Sequence, residues 1–183
     1  MQAPSGQMTA PALQTLLMDG ALAGVWVLDP RKSSIRLKTK IMGLVPVNGV
    51  FREVSGNGAV SPGGEVSGTV TVAAASIDTK NTRRDTHLRS PDFLDSGNHP
   101  DITFTVDGIR RSGQGVAVTG ALTVRDRTRP LSFDAAASVR GAGEICLDAE
   151  VLINRAEFGL TWNLMGMTSM NNTLTIHAVF IPR

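Results

Sequence analysis

Arg84, Asp85 and His87 form the combination of side chains in this sequence that is best suited to chemistry. An aspartate can orient a histidine ring and set its tautomer, and the pair could then act as general acid and base. A short charged helix with structural ion pairs gives the same pattern without any reaction, and no nucleophile-elbow motif accompanies the cluster. We therefore expect no catalytic residues. A small enzyme that uses Asp85 and His87 on an apolar substrate is the alternative.

Arg125, Arg127 and Arg129 lie around Asp126 on a predicted hairpin turn. Guanidinium groups bind phosphate oxygens in a bidentate manner, so such a turn at the mouth of a cavity could hold a diphosphate head group. A solvated turn would show the same residues. The candidates for contact with a ligand head group are Arg84, His87, Arg125 and Arg127.

Arg155 is a separate case because it lies at the end of a predicted strand. A buried cation is costly unless an opposite charge or hydrogen bonds compensate for the lost water. We expect Arg155 to pair with a buried carboxylate such as Asp85 or Glu157.

The spacing of His87, His99 and His177 carries no metal-ligand signature, so we expect no metal site. Cys146 is the only cysteine, and it can form no internal disulfide. This agrees with a reducing compartment. No basic residue precedes Arg31 and no long apolar run follows the first residues, so the chain resembles neither a secreted precursor nor a membrane-spanning protein. We expect a cytoplasmic location.

The composition indicates one globular domain without nucleic-acid partners. The chain has 183 residues, of which 42% are hydrophobic and 19% are charged, and its net charge is only +2. It has no tyrosine, and interleaved basic and aromatic stretches are missing. Residues 1–24 are expected to form an N-terminal arm, partly disordered or with a short helix, and residues 25–183 the folded domain.

Apolar and polar residues alternate with a period of two over most of the chain from about Ser33, which predicts half-buried strands. A glycine-rich segment at residues 47–60 fits a bent strand. Together the pattern predicts eight strands. Their apolar stripes begin at Ile35, Val47, Val66, Ile102, Val116, Leu131, Ile145 and Leu174.

Short connections between these strands predict antiparallel neighbours. The one long interruption contains a predicted helical insertion between about residues 78 and 97, with Ser90-Pro91 as the start of a second short helix. Closing the sheet removes its exposed edges, so we expect an all-β, eight-stranded antiparallel barrel; a β-sandwich is the structural alternative. Inward stripes rich in Val, Ala and Gly favour a hollow interior, since aromatic residues make up only 4% of the chain.

An apolar segment near the C-terminus contains Trp162, Met165 and other methionines. Methionine is flexible enough to line a pocket that accepts varied chains, although ordinary core or a dimer contact would also explain the segment. Trp26, at the start of the first strand, is expected to fill the closed end of the barrel.

Several short motifs occur in order from about Val25 to Arg183, and together they resemble the YceI-like family of lipocalin-like, polyisoprenoid-binding proteins. The motifs are Trp26-Val27-Leu28-Asp29-Pro30, Ala75-Ser76-Ile77-Asp78-Thr79, Arg84-Asp85-Thr86-His87-Leu88-Arg89-Ser90-Pro91-Asp92-Phe93-Leu94-Asp95, Pro100-Asp101-Ile102-Thr103-Phe104, Gly120-Ala121-Leu122-Thr123-Val124 and Ile153-Asn154-Arg155-Ala156-Glu157-Phe158-Gly159-Leu160. The resemblance implies an extended lipocalin-like barrel, a long isoprenoid or fatty lipid as partner, and a homodimer. The chain departs from the family at Lys32, Ile41 and Arg125-Asp126, where the family often has histidines.

The predicted function is non-catalytic binding, storage or transport of a long apolar lipid, such as a polyisoprenoid or an isoprenoid diphosphate, with no cofactor other than a co-purified lipid. The alternatives are the enzyme above and an interaction module whose dimer surface matters more than its interior. The predicted cavity wall consists of Ile35, Leu37, Phe51, Val70, Leu88, Phe93, Ile102, Phe104, Leu122, Phe133, Leu160, Trp162, Met165 and Ile176.

Overall fold

The computed structural model describes residues 15–140 and 143–183, and strands account for most of these residues. The strands are β1 (Gly24–Leu28), β2 (Ser34–Ile41), β3 (Val45–Phe51), β4 (Val54–Val60), β5 (Val66–Ala73), β6 (Ile77–Asp78), β7 (Asp101–Ser112), β8 (Gly115–Val124), β9 (Arg127–Arg140), β10 (Glu144–Asn154) and β11 (Asn171–Pro182). Helix α1 spans Thr82–Arg89, and 3₁₀ turns span Ala74–Ser76, Arg155–Phe158 and Leu164–Gly166. Within the described residues, every helix is too short or too polar to span a lipid bilayer.

The strands close into one antiparallel barrel. Neighbours follow the order β1-β4-β5-β7-β8-β9-β10-β11, and β1 pairs with β11 to complete the ring. β2 also pairs with β11, and β3 pairs with β2. β1 and β2 therefore share one position in the ring, and β3 and β4 share the next position. The predicted eight-stranded barrel is confirmed. The bent strand predicted at residues 47–60 is divided into β3 and β4 at Arg52 and Glu53.

Gly120 of β8 shows how closely one part of the wall is packed. It lies opposite Val106 of β7, beside a β-bulge between Val106 and Gly108. A Cβ atom at Gly120 would lie 2.7 Å from Cζ of Phe104 and would also collide with the carbonyl oxygen of Thr105. Glycine is therefore required here so that the Phe104 ring can lie across the inner surface of the wall.

The chain that precedes β1 closes one end of the barrel, here called the Trp26 end. Residues 15–18 are helical, and Leu17 and Leu22 pack with Trp26 and Val60 in one buried cluster. The indole Nε1 of Trp26 donates to the carbonyl oxygen of Leu22 over 2.9 Å, so the polar atom of the buried ring is satisfied. The rest of the predicted N-terminal arm, residues 1–14, lies outside the described residues.

Helix α1 lies in the connection between β6 and β7, within the predicted insertion. Asn81 caps its first turn by accepting from the backbone N–H of Arg84 over 3.0 Å. The predicted second helix starting at Ser90 is wrong, because Ser90 instead ends α1. Its N–H and its hydroxyl both donate to the carbonyl oxygen of His87, and its backbone is extended, as proline at position 91 requires. Turns follow at residues 91–94.

Candidate functional site

A cavity of about 280 Å³ lies inside the barrel. Small-molecule pockets usually enclose about 300–1,000 Å³, so the void approaches the size of a ligand site. Its wall extends from Leu17 and Trp26 at one end to Phe158 and Leu160 at the other. The wall is apolar because inward-facing residues of each strand recur every second position. Strand β10, for example, contributes Ile145, Leu147, Ala149, Val151 and Ile153.

Most of the predicted wall residues lie on this cavity. They are Ile35, Leu37, Phe51, Val70, Ile102, Phe104, Leu122, Phe133, Leu160 and Ile176. The structure places the remaining four, Leu88, Phe93, Trp162 and Met165, elsewhere. Leu88 packs against the core beside Phe51 and Ile77. Met165 is 88% exposed, because it lies in a surface loop.

Phe93 and Trp162 belong to an aromatic cluster with His87 at the end of the barrel opposite the Trp26 end. The His87 ring lies edge-on to both, with ring centroids 5.1 Å from Phe93 and 4.4 Å from Trp162. His87 Nε2 lies 3.0 Å from Oδ2 of Asp92. These contacts explain why Phe93 and Trp162 do not line the cavity: their rings pack against His87 and against each other.

Asp85 and His87 do not form the acid–base pair of the enzyme alternative in the described structure. Asp85 is buried, and its Oδ1 accepts from the backbone N–H of Thr79 over 2.9 Å and from the Thr79 hydroxyl over 2.6 Å. Those two bonds fix the start of α1 against the chain leaving β6. His87 is bonded instead to Asp92.

The predicted head-group residues also contact loops, and none of the four lines the cavity in the described part of the chain. Arg84 donates from Nε to the Thr79 hydroxyl over 2.8 Å and from Nη2 to the Thr79 carbonyl oxygen over 3.0 Å. Arg125 Nη1 lies 3.3 Å from the carbonyl oxygen of Phe93. The guanidinium of Arg127 lies beside Gly159.

Arg155 is the one lysine or arginine among the described residues that line the cavity, and it is only 5% exposed. Its Nη1 donates to the carbonyl oxygens of Leu160 and Trp162 over 2.6 and 2.9 Å, and its Nε donates to that of Ser169 over 3.1 Å. Nη2 has no hydrogen-bond partner among the described residues. Burial lowers the pKa of Arg155.

The expected pairing of Arg155 with Asp85 or Glu157 is therefore wrong. No ion pair to Arg155 is present in residues 15–140 and 143–183, and backbone carbonyl oxygens replace the carboxylate. A guanidinium has enough donors to hold several carbonyls at once, which keeps the covering segment folded over the barrel end. The sequence contained one signal for this role: a cation between wall residues Ile153 and Phe158.

The segment of residues 160–170 covers this end of the barrel. Its own fold depends on Asn163, whose side chain accepts from the Thr168 N–H over 2.8 Å and donates to the Thr168 carbonyl over 2.9 Å. The segment is also attached to β2, since the Ser169 N–H donates to the Lys40 carbonyl over 2.9 Å. Arg155 and β2 therefore hold the same loop, and both of them bond to the backbone of Ser169.

Comparison with curated proteins finds relatives that match in part. Over 66 residues the chain is 41% identical to Protein YceI of Escherichia coli O6:H1, an alignment that covers 36% of this chain and 35% of that protein. It is 32% identical over 120 residues to UPF0312 protein ECA1782 of Pectobacterium atrosepticum, covering 63% of this chain and 62% of that protein. The alignments thus span less than two thirds of these relatives.

Solved structures share the fold over a larger part of the chain. BcnA of Burkholderia cenocepacia superposes with a TM-score of 0.76 at 22% identity, covering 83% of this chain and 98% of BcnA. A polyisoprenoid-binding domain of Saccharophagus degradans gives 0.71 at 16% identity, with 86% and 98% covered. The YceI protein of Campylobacter jejuni gives 0.60 at 26% identity, with 73% and 84% covered.

A family model describes most of the barrel. The model of the YceI-like domain matches residues 26–180, which begin at Trp26 in β1 and end at Phe180 in β11. The match includes β2, helix α1 and the segment held by Arg155. The chain therefore belongs to the family of YceI-like domains.

Proposed function

We propose that the protein binds one long apolar lipid of the polyisoprenoid class inside the barrel, and that it stores or carries this lipid without changing it chemically. The observation that carries this proposal is the apolar cavity, whose wall runs from Trp26 at one end to Leu160 at the other. Such a shape accommodates an extended hydrocarbon chain.

The driving force is the removal of hydrocarbon from water. Transfer of a CH₂ group into an apolar environment contributes about 0.8 kcal/mol, so a chain of several isoprene units partitions strongly into a dry cavity. One methylene group changes the binding free energy in an apolar pocket by only about 1–3 kcal/mol. Apolar walls therefore discriminate weakly between similar ligands, and they select mainly by length and width. We therefore expect a preference for long, unbranched or methyl-branched chains rather than strict selectivity.

Binding without a reaction is favoured by the composition of the wall. Arg155 is the one strongly basic side chain that the described wall contains, and three of its hydrogen bonds are used on backbone carbonyls. Asp85 and His87 are engaged with Thr79 and Asp92. The similarity in fold to a polyisoprenoid-binding domain supports the ligand class. We place any polar end of the ligand near Arg155.

The test is mass spectrometry of the purified protein under native and denaturing conditions. We expect a non-covalent mass that denaturation releases as an intact polyprenyl or related lipid, and saturable binding of a fluorescent polyprenyl probe by delipidated protein. Delipidated protein that binds a polar fluorophore of equal size as well as the polyprenyl probe would contradict the proposal. Recovery of a shortened or hydrolysed lipid after incubation with a defined polyprenyl diphosphate would favour the enzyme alternative instead.

A further inference from the structure

Large apolar side chains are exposed together at the covered end of the barrel. In the turn between β2 and β3, Met42 is 66% exposed and Leu44 84%, and Val45, the first residue of β3, is 56% exposed. In the neighbouring loop, Leu164 is 58% exposed and Met165 88%. These five residues are called the apolar tip below. Single exposed apolar residues are common on protein surfaces, whereas several that lie together are typical of interaction sites.

Backbone hydrogen bonds hold the two parts of the apolar tip side by side. The Met42 N–H donates to the Met167 carbonyl, and the Ser169 N–H donates to the Lys40 carbonyl. Ile41 and Thr168 form a β-bridge between these bonds. The turn and the loop therefore form one surface.

A stripe of basic residues leads to the apolar tip. Arg36, Lys38 and Lys40 alternate on the exposed face of β2. No ion pair to these three occurs within the part of the chain that the structure describes. Residues 34–51 and 158–176 contain neither aspartate nor glutamate.

Acidic residues approach this stripe from two sides without contacting it. On the β10 side, Glu150 is separated from Arg36 by Thr175 in the strand register. On the β3 side, the carboxylate of Asp78 is paired with Arg52 at 2.7 Å. The surface that leads along β2 to the apolar tip is therefore positive.

We propose that the apolar tip and the basic stripe dock the protein on an anionic lipid bilayer. Methionine and leucine side chains would enter the interfacial region, while Arg36, Lys38 and Lys40 contact anionic phosphate groups of the lipids. A symmetric dimer through the same surface would bring the two basic stripes together, and their repulsion disfavours that occupant. The docked end is the end whose covering loop is held by Arg155 of the cavity wall.

The experiment measures partition of the purified full-length protein onto vesicles of phosphatidylcholine alone and onto vesicles of phosphatidylcholine mixed with phosphatidylglycerol. We expect binding to the mixed vesicles that weakens at high salt. Leu44→Ser should reduce the partition coefficient at least about tenfold, since the leucine no longer enters the interface. The double variant K38Q/K40Q should reduce it by about fivefold for each cation removed.

Matched controls come from the Trp26 end. Val25→Ser removes an exposed apolar side chain there, and R110Q/R111Q removes two exposed cations from β7. Both should bind the mixed vesicles as the unmodified protein does. Circular dichroism checks that each variant is folded.

The proposal is overturned if the unmodified protein does not distinguish the two vesicle types, or if the controls lose as much binding as L44S and K38Q/K40Q. It is also overturned if L44S abolishes self-association in sedimentation velocity while vesicle binding is unchanged. The mass of the co-purified lipid is measured in the same samples, so that loss of docking is distinguished from loss of the ligand in the barrel.

Discussion

Ala149 offers a direct test of the hollow interior. It lies on the inward face of β10 opposite Ile176, and its methyl group forms part of the cavity wall. Ala149→Phe would place a phenyl ring into the space that we assign to the lipid. The backbone need not change, since the strand pairing on both sides of β10 is independent of this side chain.

The expected effect on binding follows from the hydrocarbon that the ring displaces. At about 0.8 kcal/mol per CH₂, displacing one isoprene unit of about five carbons costs about 4 kcal/mol, or about a thousandfold in Kd. A flexible chain can bend around the ring, so we expect about half of this free energy, or about thirtyfold. The ligand-free protein should gain about 1–2 kcal/mol of unfolding free energy, because the ring fills a void.

Binding is measured by titration of delipidated protein with a fluorescent polyprenyl probe, and stability by denaturant unfolding of the same samples. Ala136→Phe is the matched control, because Ala136 lies on the exposed face of β9 and the ring would point into water. An already filled interior would instead make Ala149→Phe lose about 1–3 kcal/mol of stability through overpacking. That loss, or an unchanged Kd, would refute the assignment of the cavity as the ligand site.

Three further predictions concern the barrel itself. Gly120→Ala should lower the unfolding free energy by about 1–3 kcal/mol, because its Cβ collides with the wall. The control Gly97→Ala places its Cβ in open space and should change the unfolding free energy by less than about 0.5 kcal/mol. Denaturant unfolding compares the two variants. Burial raises the pKa of the Cys146 thiol, so a thiol reagent at neutral pH should label the unfolded chain much faster than the native protein. The Arg52 hydrogen bond lowers the pKa of Asp78 from 3.8 to about 2, so the stabilisation from the ionised carboxylate is present above pH 3.8 and is lost as the pH falls toward 2. Arg52→Gln should return the pKa of Asp78 toward 3.8 in a carboxyl NMR titration.

The barrel was predictable from the sequence because its strands carry a simple period. A strand that is buried on one face must alternate, so the alternation alone assigns residues such as Ile35, Phe104 and Ile176 to the interior. The closed ring followed from short connections and from the cost of exposed sheet edges. The division of one strand into β3 and β4 was not predictable, because it depends on which neighbours pair on each side.

The covered end was predicted less well, for a physical reason. Loops have no period, and their conformation here depends on bonds between distant residues, such as Arg155 to Leu160 and Ser169. The sequence predicts Phe93 and Trp162 in the cavity wall, but their rings pack against His87 instead. The residue types predict that both rings pack against other side chains. Only the fold shows that those side chains belong to helix α1 and the loops at the barrel end and not to the cavity wall.

The closed ring explains how an apolar interior can stay unfilled. In an open sheet or a helical bundle, elements move together until their side chains meet, but the pairing of β1 with β11 sets the circumference of this barrel. Where inward residues are small, as at the cross-strand pair Gly58 and Gly68, the side chains cannot reach the centre and a void remains. The backbone thus determines the width of the cavity, and the inward side chains determine its shape. Substitutions at positions such as Ala149 should therefore alter which apolar molecules fit in the cavity without altering the fold.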